Sequence, residues 1–125
     1  MGEEMTKTVM IVEDDDLNMR LYQDLMSFAG FETISTDDGE QVLALARKTR
    51  PDVILMDIEL RAQSGLDTTR RLKADKALSD IPVIAVTGHA RPGDKQRVLD
   101  GGCADYMKKP ICVEGLIEAV RRHIH

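Results

Sequence analysis

Glu13, Asp14 and two further aspartates follow one short apolar run of the sequence, and Asp57 follows another. Carboxylates that lie close together raise one another's pKa unless a cation compensates their charge. Mg²⁺ prefers oxygen ligands, and carboxylates, a phosphate oxygen and retained waters complete its octahedral shell. Glu13, Asp14 and Asp57 therefore predict a site for Mg²⁺, with Mn²⁺ as a substitute. The alternative is that the first acids only cap a helix and that Asp57 is a turn residue.

Asp57 in such a site can act as a nucleophile. Once a cation neutralises the cluster, a carboxylate oxygen can accept a phosphoryl group and form an aspartyl phosphate. The transferred group carries negative charge on its oxygens and needs donors or cations beside them. Thr87, after a third apolar run, offers a hydroxyl, and Lys109 offers an ammonium group. We therefore expect Asp57, Thr87 and Lys109 to act together in phosphoryl transfer.

Five apolar segments predict the strands that must position these side chains. Residues 9–12, 53–56 and 83–86 are uninterrupted apolar runs, typical of parallel strands buried on both faces. Residues 31–36 alternate between apolar and polar, and residues 104–107 form a brief segment. Both predict strands at the edges of a sheet, where one side meets water.

Helical spacing of apolar residues connects the strands. The predicted helices cover about 17–28, 38–49, 66–75, 92–101 and 113–124. In the first helix, Leu17, Leu21, Leu25 and Phe28 share one face, and Asp16 is the expected N-cap. In the fourth helix, a proline is expected in the first turn.

The alternation of strands and helices predicts the fold. Five strand and helix pairs require right-handed crossovers and a parallel sheet with helices on both faces. We expect a doubly wound α/β domain of the flavodoxin-like kind with strand order 2-1-3-4-5. In that order strands 1, 3, 4 and 5 are consecutive neighbours, and ligands bind beyond their carboxyl ends. Glu13, Asp57, Thr87 and Lys109 should therefore meet in one cleft.

Length and composition restrict the function classes. A chain of 125 residues with 42% hydrophobic and 31% charged residues fits a single packed domain over residues 1–125, with residues 1–6 expected to be flexible. A net charge of -5 with scattered basic residues argues against binding to nucleic acid. The apolar runs are too short for a membrane span, and Met1 to Lys7 is too polar for a signal peptide, which favours the cytoplasm.

The motifs around these residues resemble the receiver domains of bacterial response regulators. The similarity begins near Lys7 and extends through the chain. The motifs that carry it are IVEDD at 11–15, LMDI at 55–58, SGLD at 64–67, PVIAVTG at 82–88 and DYMKKP at 105–110. The resemblance implies that Asp57 is the phosphoacceptor, that Glu13 and Asp14 are the acidic pair, and that Glu59 contributes a metal ligand through its backbone carbonyl.

The resemblance also implies a switch. Thr87 would supply the switch hydroxyl, Lys109 would bind the phosphate, Tyr106 would be the switch aromatic, and the Lys109–Pro110 bond would be cis. A phosphoryl group would attract the Thr87 hydroxyl, Tyr106 would rotate inward, and the surface around the fourth helix and fifth strand would change.

Partners follow from the same resemblance. The motifs near residues 13–19 and 101–106 are most similar to a stand-alone receiver of alphaproteobacterial cell division, which implies a role in cell-cycle control. Expected partners are sensor histidine kinases or phosphatases and downstream kinases or adaptor proteins, with the chain itself a monomer or weak dimer. The donor should dock beside the acids, near Leu17, Asn18 and Met19, through some exposed apolar area.

Two alternatives and one further hypothesis remain at this point. An aspartate-based, Mg²⁺-dependent phosphatase would also place a nucleophilic Asp after a strand, with Glu59 as its second acid. A receiver fold could instead be an interaction module without phosphotransfer, although Asp57 and its neighbours argue against that. A signalling protein that catalyses only its own phosphorylation and dephosphorylation is the main expectation. We also expect Glu59 and His89 to flank the path of the water that hydrolyses the aspartyl phosphate.

Overall fold

The sheet follows the predicted order. A computed structural model describes residues 6–60, 64–88 and 92–124. Its strands are β1 (Thr8–Val12), β2 (Glu32–Thr36), β3 (Val53–Asp57), β4 (Val83–Thr87) and β5 (Asp105–Lys108). All neighbouring strands pair in parallel in the order β2-β1-β3-β4-β5. The predicted doubly wound α/β fold is therefore confirmed.

Helices connect and cover the strands. They are α1 (Asp16–Phe28), α2 (Val42–Thr49), α3 (Gly65–Ala74), α4 (Asp94–Asp100) and α5 (Val113–His123), and a short 3-10 turn (Gly39–Gln41) leads into α2. In the part of the chain that the structure describes, none of these helices has the length and apolar character needed to cross a membrane. The expected flexibility of residues 1–6 concerns a segment of which only Thr6 is described.

Burial separates the central strands from the edges as predicted. Every residue of β3 and β4 is buried, whereas β2 and β5 contain only half-buried and exposed residues. Because side chains of a strand alternate between the two faces, Met10 and Val12 join the core beneath α2, α3 and α4. Val9 and Ile11 join the opposite core beneath α1 and α5.

The apolar face predicted for α1 is only partly buried. The helix buries Tyr22 and Met26, and Leu25 is half-buried against the same core. Leu17 and Phe28 are 79% and 87% exposed, and Leu21 is 47% exposed. The leucine spacing gave a valid helical period but could not say which stripe meets α5 and the sheet, since a second apolar stripe lies beside it. The structure therefore leaves an apolar stripe of α1 in water.

The starts of two helices also differ from the prediction. The N-cap of α1 is Asp15 rather than Asp16, because Asp15 has the extended backbone that lets its side chain accept the N–H of Asn18 at 2.9 Å. Helix α4 begins at Asp94 instead of Pro92, after Gly93 in the left-handed conformation at φ 87°. Helix α5 begins at Val113 as predicted, and the Val113 side chain is 45% exposed.

Candidate functional site

The carboxyl ends of four neighbouring strands bring the predicted residues together. Glu13 directly follows β1, Asp57 ends β3 and Thr87 ends β4. Lys109 follows β5, and its backbone N–H donates to the carbonyl of Thr87 at 2.8 Å. The register pairs Asp57 with Val86, so the ends of β3 and β4 lie side by side. The predicted site residues therefore lie together at the carboxyl ends of the strands.

Three carboxylates converge at these strand ends. One oxygen each of Glu13, Asp14 and Asp57 lies within 4.8 Å of the others. Glu13 and Asp57 are only 1% and 5% exposed. The backbone N–H of Asp15 donates to Glu13 Oε2 at 3.1 Å and thereby orients the Glu13 carboxylate. The arrangement places buried negative charge where water can compensate little of it.

Lys109 supplies positive charge to this cluster. Its Nζ lies 3.3 Å from Glu13 Oε1 and 3.8 Å from Asp57 Oδ2. A single ammonium cannot balance three carboxylates, so the site retains excess negative charge.

The turn after β3 fixes the Asp57 side chain. The backbone N–H of Glu59 donates to Asp57 Oδ1 at 2.9 Å. Gly65 approaches this turn closely: its N–H donates to the carbonyl of Ile58 at 3.0 Å, and a Cβ on Gly65 would lie 2.1 Å from the Asp57 carbonyl oxygen. Only glycine fits there. Sequence reasoning assigned Gly65 no role, although a glycine directly after the cap residue Ser64 was a signal of close backbone approach.

Burial changes the protonation of the acids. It raises the pKa of Glu13 from 4.5 to about 7, and a hydrogen bond with Asp57 and the charge of that residue act in the same direction. Burial also raises the pKa of Asp57, against the opposing effects of the Glu13 hydrogen bond and the Lys109 charge. Without a cation, Glu13 and Asp57 therefore share a proton at mildly acidic to neutral pH.

This shared proton predicts a pH dependence of stability in the metal-free protein. Between pH 4.5 and about 7, unfolded Glu13 has released its proton while folded Glu13 retains it. The folded state then binds more protons, so the free energy of unfolding should fall as the pH rises, by about 2 kcal/mol across the window. Urea unfolding in a chelator at several pH values measures this change.

Glu13→Gln is the control for that measurement. The variant should show a flatter pH profile than the wild type over the same interval, because the titrating group is absent. Saturating Mg²⁺ should flatten the wild-type profile as well. A wild-type stability that stays constant or rises between pH 4.5 and 7 relative to Glu13→Gln would contradict the assignment.

The donor set suits a hard divalent cation. Glu13, Asp14 and Asp57 contribute only oxygen atoms, and the excess negative charge of the cluster requires a positive partner. The role of the Glu59 carbonyl as a further ligand stays a prediction. Glu59 lies in the turn that follows Asp57, so its backbone is next to the carboxylate cluster.

Thr87 and Tyr106 share one face of the sheet. Ala85 lies opposite Tyr106 in the pairing of β4 with β5, and Thr87 is two residues beyond Ala85 on the same strand. The Thr87 side chain is buried, and the Tyr106 ring is half-buried against the core beneath α2, α3 and α4. The switch role of the two residues stays a prediction. His89, the other residue expected near the site, lies outside the described residues.

The comparisons with known proteins agree with this geometry. Residues 9–121 match the response regulator receiver domain. The chain belongs to this family. The predicted resemblance is therefore confirmed, and it places the protein in two-component signalling, with the cis Lys109–Pro110 bond also as expected.

Relatives of the receiver domain refine the comparison. The polar-differentiation response regulator DivK of Brucella ovis is 52% identical over 120 residues, which cover 96% of this chain and 98% of that protein. The receiver domain of sensor histidine kinase PA1611 from Pseudomonas aeruginosa superimposes with a TM-score of 0.87 at 29% identity and covers 95% and 98% of the two chains; it holds a magnesium ion in its active-site cleft. Chemotaxis protein CheY4 of Vibrio cholerae, at 24% identity and a TM-score of 0.89 over 96% and 100%, shows the same fold.

These similarities establish the general class of the protein. The chain is a response regulator receiver homologous to DivK, which is consistent with cell-division regulation. Receiver domains bind Mg²⁺ at their acidic site, and the cluster of Glu13, Asp14 and Asp57 is compatible with it. Family membership favours a signalling protein over the aspartate-based phosphatase considered above.

Proposed function

We propose that this receiver domain accepts a phosphoryl group on Asp57 from a histidine kinase or phosphotransfer protein and signals through phosphorylation-dependent protein contacts in cell-division control. One observation carries the proposal. Buried Asp57 lies with Glu13 and Asp14 in a cluster whose oxygens are within 4.8 Å of one another, beside the ammonium of Lys109. This is the arrangement that phosphoryl transfer to a carboxylate requires.

Each residue then has a defined part in the transfer. An oxygen of Asp57 attacks phosphorus, the new O–P bond forms, and the N–P bond to the donor histidine breaks. Bound Mg²⁺, held by Glu13, Asp14, Asp57 and the Glu59 carbonyl, would compensate negative charge around the phosphoryl group; Mn²⁺ would substitute for it. Lys109 attracts a phosphoryl oxygen, and the hydrogen bond from the Glu59 N–H keeps the Asp57 carboxylate oriented.

The output follows from the packing of Thr87 and Tyr106. A hydrogen bond from the Thr87 hydroxyl to the phosphoryl group moves that side chain toward the cleft and vacates space on its face of the sheet. Tyr106, half-buried on the same face, can turn into that space. The surface formed by α4 and β5 then changes and becomes readable by a partner.

The partners of this domain are proposed from its family. Sensor histidine kinases or phosphatases would control Asp57, and downstream kinases or adaptor proteins would read the switched surface, with the chain acting in the cytoplasm as a monomer or weak dimer. The single domain would span residues 1–125.

The exposed stripe of α1 is the proposed docking site for the phosphodonor. Leu17 is 79% exposed and lies in the first turn of α1, directly after the acidic run that includes Asp14. Leu21 continues the stripe one turn later, where Arg20 and Asp24 flank it. An apolar patch with a polar rim beside the reacting carboxylate is typical of a protein contact.

Leu17→Asp is therefore expected to slow phosphoryl transfer from a phosphorylated histidine protein by about 10-fold, since an apolar side chain that the docked donor would bury is lost. Phosphorylation by acetyl phosphate should stay unchanged, because this small donor needs no docking surface. Phe28→Asp is the matched control: Phe28 is also a highly exposed apolar residue of α1, at 87% against 79% for Leu17, but lies at the far end of the helix. Equal slowing with both donors would contradict the docking role.

Intact mass after incubation with Mg²⁺ and acetyl phosphate tests the proposed function. The wild type should gain one phosphoryl group, and a chelator should prevent the gain. Release of phosphate from a small ester such as p-nitrophenyl phosphate, with turnover, would instead support a phosphatase. No gain of mass at any Mg²⁺ concentration would leave a pure interaction module and overturn the proposal.

A further inference from the structure

The side chain of Glu59 ties two loops of the site together. Glu59 lies in the turn after β3, and its Oε1 accepts the backbone N–H of Gly88 at 2.8 Å. Gly88 directly follows β4 and therefore Thr87. The two residues are 29 positions apart in sequence, so the contact is not part of a local turn. It connects the turn that orients Asp57 with Gly88, the residue after Thr87.

Glu59 Oε1 lies at a position where an anion can accept the Gly88 N–H beside the side chain of Lys109. A Cβ built on Gly88 would lie 3.5 Å from Glu59 Oε1 and 3.9 Å from Lys109 Cδ, so the Gly88 backbone is close to both side chains. The Lys109 ammonium continues into the cleft, 3.8 Å from Asp57 Oδ2. A backbone N–H beside a lysine is a typical donor set for phosphoryl oxygens. Gly88 N–H thus lies at the rim of the cleft in which a phosphoryl group on Asp57 needs donors.

We propose that the Glu59 carboxylate occupies the Gly88 N–H in the unphosphorylated protein and yields it to a phosphoryl oxygen when Asp57 is phosphorylated. This inference rests on the proposed function of Asp57. One N–H cannot serve a carboxylate and a phosphoryl group at full strength, and the two anions repel each other. Glu59 therefore opposes phosphoryl binding and holds Gly88, directly after β4, in its unphosphorylated position.

The exchange makes Glu59 a positioning residue. It acts on the phosphoryl group through Gly88, and its release frees the Gly88 backbone, next to Thr87, to move. The population of the switched state then depends on the difference in free energy between two hydrogen bonds from the same donor, one to Glu59 and one to the phosphoryl group. This role differs from an effect on attacking water, because it concerns the equilibrium between the two states and not only the rate of hydrolysis.

Two readouts on three variants test the exchange. The first is the Gly88 amide proton shift by NMR, and the second is the affinity for beryllofluoride, a phosphoryl analogue, at saturating Mg²⁺. Glu59→Ala removes the acceptor, and Glu59→Asp keeps the charge but is one methylene too short to reach Gly88. Glu32→Gln is the control. It removes an exposed carboxylate at the start of β2, at the amino ends of the strands and therefore on the side of the sheet away from the site.

In the unmodified wild type the Gly88 proton should resonate downfield, and it should move upfield in Glu59→Ala and Glu59→Asp. Both variants should bind beryllofluoride about 3- to 10-fold more tightly than the wild type, which corresponds to the loss of one competing hydrogen bond. Glu32→Gln should leave both readouts unchanged.

Four results would overturn the exchange. An unchanged Gly88 shift in Glu59→Ala would show that the hydrogen bond does not form in solution. Tighter binding in Glu59→Ala but not in Glu59→Asp would show an effect of charge alone. A wild type that responds normally to beryllofluoride, with both variants equal to it, would reject the exchange while sparing the function of Asp57. No response of the wild type to beryllofluoride or acetyl phosphate would reject the proposed function and the exchange with it.

Discussion

Asp57→Asn is expected to lose phosphorylation completely while its metal-free form becomes more stable than the wild type. The amide cannot act as the nucleophile, so acetyl phosphate and Mg²⁺ should add no mass at this position. The gain in stability follows from the buried cluster, because Asp57 is 5% exposed and its pKa is raised by burial and by repulsion from Asp14. Removing that charge should add on the order of 1–2 kcal/mol to the free energy of unfolding at pH 7.5.

The matched control is Asp67→Asn. Asp67 lies on α3, and its side chain is 62% exposed in a surface ion pair with Arg70. The same chemical change there should leave phosphorylation intact and change stability by less than about 0.5 kcal/mol. Intact mass and urea unfolding in a chelator measure both effects. A metal-free Asp57→Asn that unfolds more easily than the wild type would show that the carboxylate is needed for the fold, against the electrostatic account.

Lys109→Ala should slow phosphorylation by acetyl phosphate by about 10²-fold, the usual effect of removing one preorganised charge partner of the reacting group. The ammonium lies 3.3 Å from Glu13 and 3.8 Å from Asp57, so its loss also leaves the cluster more negative. The charge of Lys109 lowers the pKa of Glu13. The pKa of Glu13 in the variant should therefore rise further, and NMR titration of the Glu13 carboxyl measures that shift.

Lys108→Ala controls for the loss of one positive charge from the neighbouring position in the chain. Lys108 ends β5 with its side chain exposed, so its removal should leave both the rate and the Glu13 titration near wild-type values. Lys109→Arg should recover part of the rate, because it restores the charge with a different reach. Equal slowing in Lys108→Ala and Lys109→Ala would mean that only net charge matters, and the specific contact of Lys109 with the cluster would then carry no function.

The fold was predictable because its pattern is carried by local sequence. Short continuous apolar runs such as 53–56 and 83–86 are typical of buried strands in a parallel sheet, and the alternation with helices restricts the connections to a few. The strand order then followed from the two segments that are alternating or brief, since such strands lie at the edges of a sheet where one side meets water. The convergence of Glu13, Asp57 and Lys109 was predictable for the same reason, since each directly follows or ends a strand.

Details decided by packing between elements were not predictable. Two apolar stripes compete on α1, and only contact with α5 and the sheet shows that Tyr22 is buried and Leu17 exposed. The N-cap of that helix depended on which of several consecutive aspartates has extended backbone, and it is Asp15. The start of α4 two residues after Pro92 is likewise set by the left-handed Gly93, which no hydrophobic period reveals.

The amino-acid sequence alone determined which residue types reach the carboxyl edge of the sheet, because strand period and connection length are local properties of the chain. Only the tertiary structure decided how these groups meet: that Glu13 is buried enough to hold a proton near neutral pH, that Gly65 touches the Asp57 carbonyl, and that Glu59 reaches Gly88. Burial, close backbone approach and contacts between distant loops depend on the packing of several elements at once, and no local pattern records them.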